Sequence, residues 1–169
     1  MFQDYVVYDN VFKYPDEIAN EGKTLEFFDR QDESNAPGGT WVGRRSGLIH
    51  QVRPPLFKRV FRHVLKKFDL GEEGNPVTYG IEPFFQFTYS HNKFKKHKDN
   101  ALFTGIVYLN EDADKNAGTT LFIGDEEVKI ENVYNRLLLF RSNIPHMPTN
   151  LFDERFNLVF YINNITLKN

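Results

Sequence analysis

Hydrophobic residues recur at helical spacing in the first part of the chain. In residues 54–68 the apolar side chains lie three or four positions apart, and basic residues fill the opposite side, which predicts an amphipathic helix. Upstream, residues 2–8 are mostly β-branched and aromatic and predict a short strand. Pro15, followed by two acidic residues, marks the start of a helix that should run to about residue 27. Residues 29–40 are charged or turn-forming and predict a loop.

From residue 76 onward the pattern changes to short apolar runs separated by turn-forming residues. Six strands are predicted, at residues 77–90, 102–109, 119–123, 126–130, 136–141 and 155–163. Strands of this number and spacing after two helices indicate a mainly β fold, a sandwich or barrel with supporting helices on one face. The length fits a single domain over 1–169, with an N-terminal strand and helices in 1–75 and the β core in 76–169.

Composition narrows the function classes. The 17 Phe and 8 Tyr favour β structure. The chain has no Cys, which excludes disulfide scaffolds, thiolate metal sites and thiol nucleophiles. The net charge of −2 is unlike that of a general nucleic-acid binder, so the basic helix face is expected to be solvated and no nucleic-acid partner is expected.

The sequence contains no apolar run long enough to span a membrane, and its first residues lack a basic leader and an apolar stretch. We therefore expect a soluble cytoplasmic protein without a signal peptide or membrane contact.

Without Cys, any metal site must use His, Asp or Glu. His97 and Asp99 lie two residues apart, so in an extended segment both side chains point to one face. His146 follows a predicted strand, in a loop that can turn it back toward the core. Two His and one carboxylate on one face form the triad that holds Fe(II) in oxygenases. Taken alone, the His97–Asp99 pair is also compatible with a surface pair in a lysine-rich segment.

Arg155 opens the last predicted strand, where alternation puts Arg155, Asn157, Val159 and Tyr161 on one face. The opposite face is wholly apolar and fits a second layer. An Arg on the inner face of a strand is costly unless it meets an anion, and a carboxylate suits its planar fork.

Taken in order, these motifs resemble one family. The motifs are His97-Lys98-Asp99-Asn100, a strand ending Tyr108-Leu109-Asn110, a strand opened by Gly118, the segment 135–142, Pro145-His146 and Arg155. The set, over about residues 84–163, resembles the Fe(II)/2-oxoglutarate-dependent dioxygenases with a double-stranded β-helix (jelly-roll) core. Within that superfamily it is most similar to the prolyl hydroxylases, especially those that act on hypoxia-inducible factor.

The resemblance implies a role for each matched residue. His97, Asp99 and His146 would be the catalytic iron ligands. Arg155 and Tyr108 would hold the distal carboxylate of 2-oxoglutarate, and Thr104 and Ile106 would line the co-substrate pocket. Tyr89 is a further candidate, for the metal end of 2-oxoglutarate, at a spacing two residues shorter than in the family.

The resemblance also implies an enzyme that hydroxylates a C–H bond, most readily of a prolyl residue in a peptide or protein, while 2-oxoglutarate becomes succinate. Fe(II) and 2-oxoglutarate are the implied cofactor and co-substrate, O₂ is consumed, and ascorbate is an optional reductant. Because His must be neutral to bind a metal, activity should fall below about pH 6. A small-molecule 2-oxoglutarate oxygenase, a cupin-type metalloprotein with other chemistry and a non-catalytic jelly-roll binding module remain open.

Two basic segments have two interpretations each. The lysines around His97 are either solvated or, at the rim of a site, attract anionic 2-oxoglutarate or an acidic substrate. Trp41, Arg44 and Arg45, which follow the predicted loop, belong either to a solvated turn or to a substrate-contacting segment.

Overall fold

The computed structural model describes residues 3–29, 42–68, 77–149 and 154–167. The helices are α1 (Pro15–Lys23), α2 (Ile49–Val52) and α3 (Pro54–Val64). The strands are β1 (Tyr5–Tyr8), β2 (Phe27–Asp29), β3 (Arg44–Ser46), β4 (Val77–Thr88), β5 (Phe103–Tyr108), β6 (Thr119–Ile123), β7 (Glu126–Ile130), β8 (Leu137–Arg141), β9 (His146–Pro148) and β10 (Arg155–Leu167). Trp41 and nearly all of the predicted loop 29–40 lie outside the described residues.

Two antiparallel sheets form the core. The large sheet has the order β1-β8-β5-β10-β4-β3-β2, and the small sheet has the order β7-β6-β9. A buried cluster joins them, with Ile106 and Leu138 from the large sheet against Leu121 and Ile130 from the small one. This arrangement confirms the predicted mainly β, jelly-roll fold.

The helices cover the outer face of the large sheet. Phe156, Leu158 and Phe160 of β10 lie in one buried cluster with Leu56 and Val60 of α3. The alternation predicted for β10 is therefore confirmed, and its other face points toward the small sheet. Burying this apolar stripe stabilises the helix on the sheet, since each large apolar side chain contributes about 1.5–3 kcal/mol when fully buried.

The first 75 residues supply strands at both ends of the large sheet. β1 pairs with β8, whereas β2 and β3 extend the opposite edge beyond β4. The strands β2 and β3 were not predicted, because three residues are too few to display an alternation. None of the described helices is long and apolar enough to cross a membrane.

Both predicted helices end earlier than their patterns suggest. The prediction that the first helix continues to residue 27 is wrong, because α1 ends at Lys23 and Phe27 pairs with Ser46 in the sheet. The second helix ends at Val64, although Phe68 beyond it is still buried. At the end of α1 the pairing of Phe27 in the sheet overrides local propensity.

Candidate metal centre

Backbone pairing brings the two halves of the predicted triad together. His97 and His146 exchange two backbone hydrogen bonds, of 3.0 and 2.8 Å, and the amide of Asp99 donates to the carbonyl of Ser142 at 3.0 Å. His146 is the first residue of β9, not part of a loop as the sequence predicted. The segment 97–99 is therefore fixed beside the chain entering β9.

The three predicted ligands form a cluster that could hold a metal ion. One ligand atom from each of His97, Asp99 and His146 lies within 4.8 Å of the others. His146 Nε2 is 3.2 Å from Asp99 Oδ2, and His97 Nε2 is 3.7 Å from Asp99 Oδ1. The His146 side chain is 6% exposed and that of His97 is 51% exposed, so the cluster is closed on one side and open on the other.

Hydrogen bonds at the far nitrogens orient both imidazoles. His97 Nδ1 bonds to the carbonyl of Lys95, and His146 Nδ1 to the carbonyl of Ile144, each at 2.9 Å. A carbonyl can only accept, so each Nδ1 carries the proton. The lone pair of each Nε2 is thereby left facing Asp99, which is the tautomer that a metal requires.

Asp99 is held in its charged form. Burial by itself would raise the pKa of Asp99, but a hydrogen bond from His146 in its protonated form, the hydrogen bond from Thr104 and the charge of a protonated His97 together lower it below its ordinary value. A bound cation would take the place of the two Nε2 protons. The Thr104 hydroxyl donates to Asp99 Oδ2 at 2.7 Å and lies 2.8 Å from the Ser142 hydroxyl. A charged, oriented carboxylate is the form that binds a divalent cation.

Arg155 lies buried on the inner face of the large sheet. Its Nη1 donates to the carbonyl of Gly118 at 2.6 Å, and its Nε lies 3.1 Å from the amide of Asn157, which is oriented to accept. Among the described residues no carboxylate forms an ion pair with it. Burial lowers the pKa of Arg155 below its ordinary value, because removal from water disfavours the charged form.

Thr88, directly across from Arg155 in the ladder, has a buried hydroxyl without a hydrogen-bond partner among the described residues. A buried cation and an orphaned hydroxyl on neighbouring strands together offer donors to an anion with several acceptor atoms.

The strand β5 connects Arg155 to the ligand cluster. Thr104, Ile106 and Tyr108 lie on its inner face, as the sequence predicted. Tyr108 is fully buried and donates to the Thr119 hydroxyl at 2.8 Å. Burial raises the pKa of Tyr108, so its hydroxyl stays neutral and can act as a donor beside Arg155.

The structure does not bring Tyr89 to the inner face of the large sheet, where Thr104, Ile106 and Tyr108 lie. Its ring stacks on Phe87 and on His91, and Phe87 packs on Phe27 and Phe156 at the helix-covered face. β4 ends at Thr88, and aromatic stacking holds the Tyr89 ring on the outer side, apart from Thr104, Ile106 and Tyr108. The role of Tyr89 at the metal end of the co-substrate stays a prediction.

Several residues of the site were missed in the sequence. Each of them either forms a hydrogen bond with a predicted site residue or lies opposite one in the sheet. These residues are Thr88, Gly118, Thr119, Ser142 and Asn157. Asn157 carried a signal through its place on the polar face of β10, and Gly118 through the motif strand that it opens. The others become visible once the strand register is known.

No protein-family model and no curated protein matches this sequence. Solved structures do match. A prolyl hydroxylase from Trichoplax adhaerens, in complex with a hypoxia-inducible factor oxygen degradation domain peptide, has a TM-score of 0.71 at 15% identity, over 95% of this chain and 83% of that one. A prolyl-4-hydroxylase from Pseudomonas putida has a TM-score of 0.60 at 17% identity, over 95% and 92%.

HygX from Streptomyces hygroscopicus, with nickel, 2-oxoglutarate and hygromycin B bound, has a TM-score of 0.69 at 13% identity, over 95% of this chain and 83% of that one. The chain therefore shares its fold with prolyl hydroxylases and other 2-oxoglutarate oxygenases.

Proposed function

We propose that this chain is an Fe(II)- and 2-oxoglutarate-dependent dioxygenase that hydroxylates a C–H bond, with a prolyl residue in a peptide or protein as the substrate. One observation carries the proposal: a buried arginine without a carboxylate partner among the described residues lies on the same inner wall as a His-Asp-His cluster. A metal alone would account for the cluster but would leave the cation unexplained.

In this proposal His97, Asp99 and His146 hold Fe(II). The two carbonyls that bind the Nδ1 protons keep both imidazoles in the metal-binding tautomer, and Thr104 keeps Asp99 charged and oriented. When bound, Fe(II), 2-oxoglutarate and O₂ supply the oxidising power that replaces C–H by C–OH, while 2-oxoglutarate becomes succinate and CO₂.

Arg155 and Tyr108 would bind the distal carboxylate of 2-oxoglutarate. The guanidinium offers charge and paired donors, and the neutral Tyr108 hydroxyl can turn from Thr119 to the carboxylate. Thr104 and Ile106 line the wall between this end and the ligands. Because the wall is buried and largely apolar, it excludes water and strengthens the charge interaction.

The prolyl substrate is supported by the prolyl hydroxylases among the structures that share the fold, one of them in complex with a peptide. A second candidate is a small-molecule oxygenase, which HygX with hygromycin B bound favours at a similar TM-score. Both candidates need the same metal centre and co-substrate, so the first experiment concerns what they share.

The test is succinate release from 2-oxoglutarate with Fe(II), ascorbate and O₂, without added substrate. We expect slow turnover in the wild type and none in His97→Ala, because one ligand is lost. His91→Ala removes an exposed imidazole of the same segment outside the cluster and serves as the matched control; it should behave as the wild type.

A cupin-type metalloprotein gives a different result. Such a protein would bind the metal but not 2-oxoglutarate, and Arg155→Ala would leave its metal affinity unchanged. Absence of both 2-oxoglutarate binding and turnover in the metal-loaded wild type contradicts the proposal. Failure to bind any divalent metal under anaerobic conditions would instead favour a non-catalytic binding module.

A further inference from the structure

We propose that the peptide substrate is acidic and that it binds along a basic rim formed by Lys93, Lys95, Lys96 and Lys98. This inference rests on the proposed function and names the class of peptide that the site selects.

The lysines of the rim lie in the same chain segment as His97, the first predicted metal ligand. They lie within six residues and are all exposed, and residues 90–98 contain no Asp or Glu. The carbonyl of Lys95 accepts a hydrogen bond from Nδ1 of His97, so the lysine segment and the predicted ligand are held together. Lys96 Nζ lies 3.8 Å from the centre of the Phe122 ring, which anchors the segment to the small sheet.

These lysines have no anionic partner within the described parts of the chain. No ion pair joins any of the four to a described carboxylate. By contrast, Arg53 and Arg59, at the start of and within α3, both pair with Glu21. The positive charge of the rim is therefore available to a ligand, and the carboxylate beside it, Asp99, belongs to the metal cluster.

Arg45 brings a further cation to the wall behind the cluster. It lies opposite Gln86 in the ladder, on the inner side of the sheet, and its guanidinium is 4.3 Å from the centre of the Phe84 ring. Tyr161 lies opposite Thr104, which donates to Asp99. The ring of Tyr161 lies 5.7 Å from that of Phe84, the ring over which the Arg45 guanidinium lies. Burial raises the pKa of Tyr161, whereas the charge of Arg45 opposes that rise.

The length of the rim favours a peptide. From Lys93 to Lys98 an extended chain spans up to about 17 Å, wider than a single small metabolite. Opposite charge steers a partner into such a site and suppresses like-charged ones. A nucleic acid is also anionic, but the net charge of −2 and the confinement of the rim to one short segment favour a peptide.

The test measures binding to the protein loaded with Mn(II) and 2-oxoglutarate under anaerobic conditions. Three labelled 12-residue peptides share a central proline and carry Asp/Glu, Asn/Gln or Lys flanks, and a single-stranded oligonucleotide serves as a fourth probe. By fluorescence anisotropy we expect the acidic peptide to bind about tenfold more tightly than the amide peptide at 50 mM NaCl. At 500 mM NaCl the difference should largely disappear, because screening shortens the range of the charges.

The variant Lys93→Glu/Lys95→Glu should lose about tenfold in affinity for the acidic peptide, since each exposed charge pair contributes modestly. Its affinity for 2-oxoglutarate should stay near that of the wild type. The matched control Lys66→Glu/Lys67→Glu makes the same charge change just after α3, on the other side of the large sheet, and should leave peptide binding unchanged.

Three results would overturn the inference: equal binding of the acidic and amide peptides, an unchanged affinity in the rim variant, or tighter binding of the oligonucleotide than of the acidic peptide. The proposed function fails separately, through loss of metal-dependent 2-oxoglutarate binding and succinate release, which need no peptide.

Discussion

Replacing Arg155 with methionine distinguishes a role in 2-oxoglutarate binding from a role in the stability of the fold. Arg155 is buried and donates to Gly118 and Asn157, without a carboxylate partner among the described residues. Breaking a buried charge pair by removing one partner costs about 3–5 kcal/mol. At about 1.4 kcal/mol per factor of ten, Arg155→Met should weaken 2-oxoglutarate binding by about a hundred-fold to a few thousand-fold. Arg155→Lys keeps the charge but loses the planar fork, so its loss should be smaller.

The same variant should remain folded without the ligand. The carbonyl of Gly118 loses a donor, which costs about 1–3 kcal/mol, but the variant no longer buries a cation without an anionic partner. These effects oppose each other, so we expect the free energy of unfolding to change by less than about 2 kcal/mol.

The assay is isothermal titration calorimetry of 2-oxoglutarate into the anaerobic, Mn(II)-loaded protein, with a separate Mn(II) titration and urea unfolding. Arg59→Met, which removes an arginine paired with Glu21 outside the site, is the control and should bind 2-oxoglutarate as the wild type does. Wild-type 2-oxoglutarate affinity in Arg155→Met would refute the reasoning. So would a parallel loss of Mn(II) binding, because the arginine would then act through the metal centre.

Three further variants test the surroundings of the site and the stability of the fold. Tyr108→Phe removes one donor to the distal carboxylate and should weaken 2-oxoglutarate binding about tenfold or more by calorimetry, with an unchanged Mn(II) affinity. Thr104→Val removes the hydrogen bond that orients Asp99 and should lower Mn(II) affinity about 10- to 100-fold in the metal titration. The hydrogen bond and charge of Arg136 lower the pKa of Asp9, so this exposed pair stabilises the fold at neutral pH and stops doing so as the pH falls through the lowered pKa. Asp9→Asn should therefore cost less than about 1 kcal/mol near pH 7 and nothing near pH 2 in urea unfolding, and an equal cost at both pH values would contradict the assignment.

The parts of the molecule with regular alternation were predictable from the sequence. In β10 a polar face and a wholly apolar face are both visible in the residue order, and the structure places them toward the small sheet and the helices. The inner face of β5, with Thr104, Ile106 and Tyr108, was predictable for the same reason. Period-two alternation fixes the face of every residue once one residue of the strand is assigned.

The remaining parts depend on which strands become neighbours. The contact of Thr104 with Ser142 and that of Arg155 with Gly118 join residues 37 or 38 positions apart, and nothing local in the sequence encodes them. A motif spacing likewise does not specify the side of the sheet on which a ring lies, so the stacking of Tyr89 on Phe87 could not be predicted. The strands β2 and β3 exist through their pairing with β4, not through their own composition.

The place of β10 in the sheet has a consequence for how the protein is made. It is the last described strand along the chain, yet it lies between β5 and β4, and its pairing with them is the most extensive in the large sheet. During synthesis, β4 and β5 leave the ribosome before the strand that joins them exists, so each presents an unpaired edge. Such non-local pairing makes folding slow. The nascent chain therefore passes through an aggregation-prone stage that ends only when residues 155–167 are available to pair.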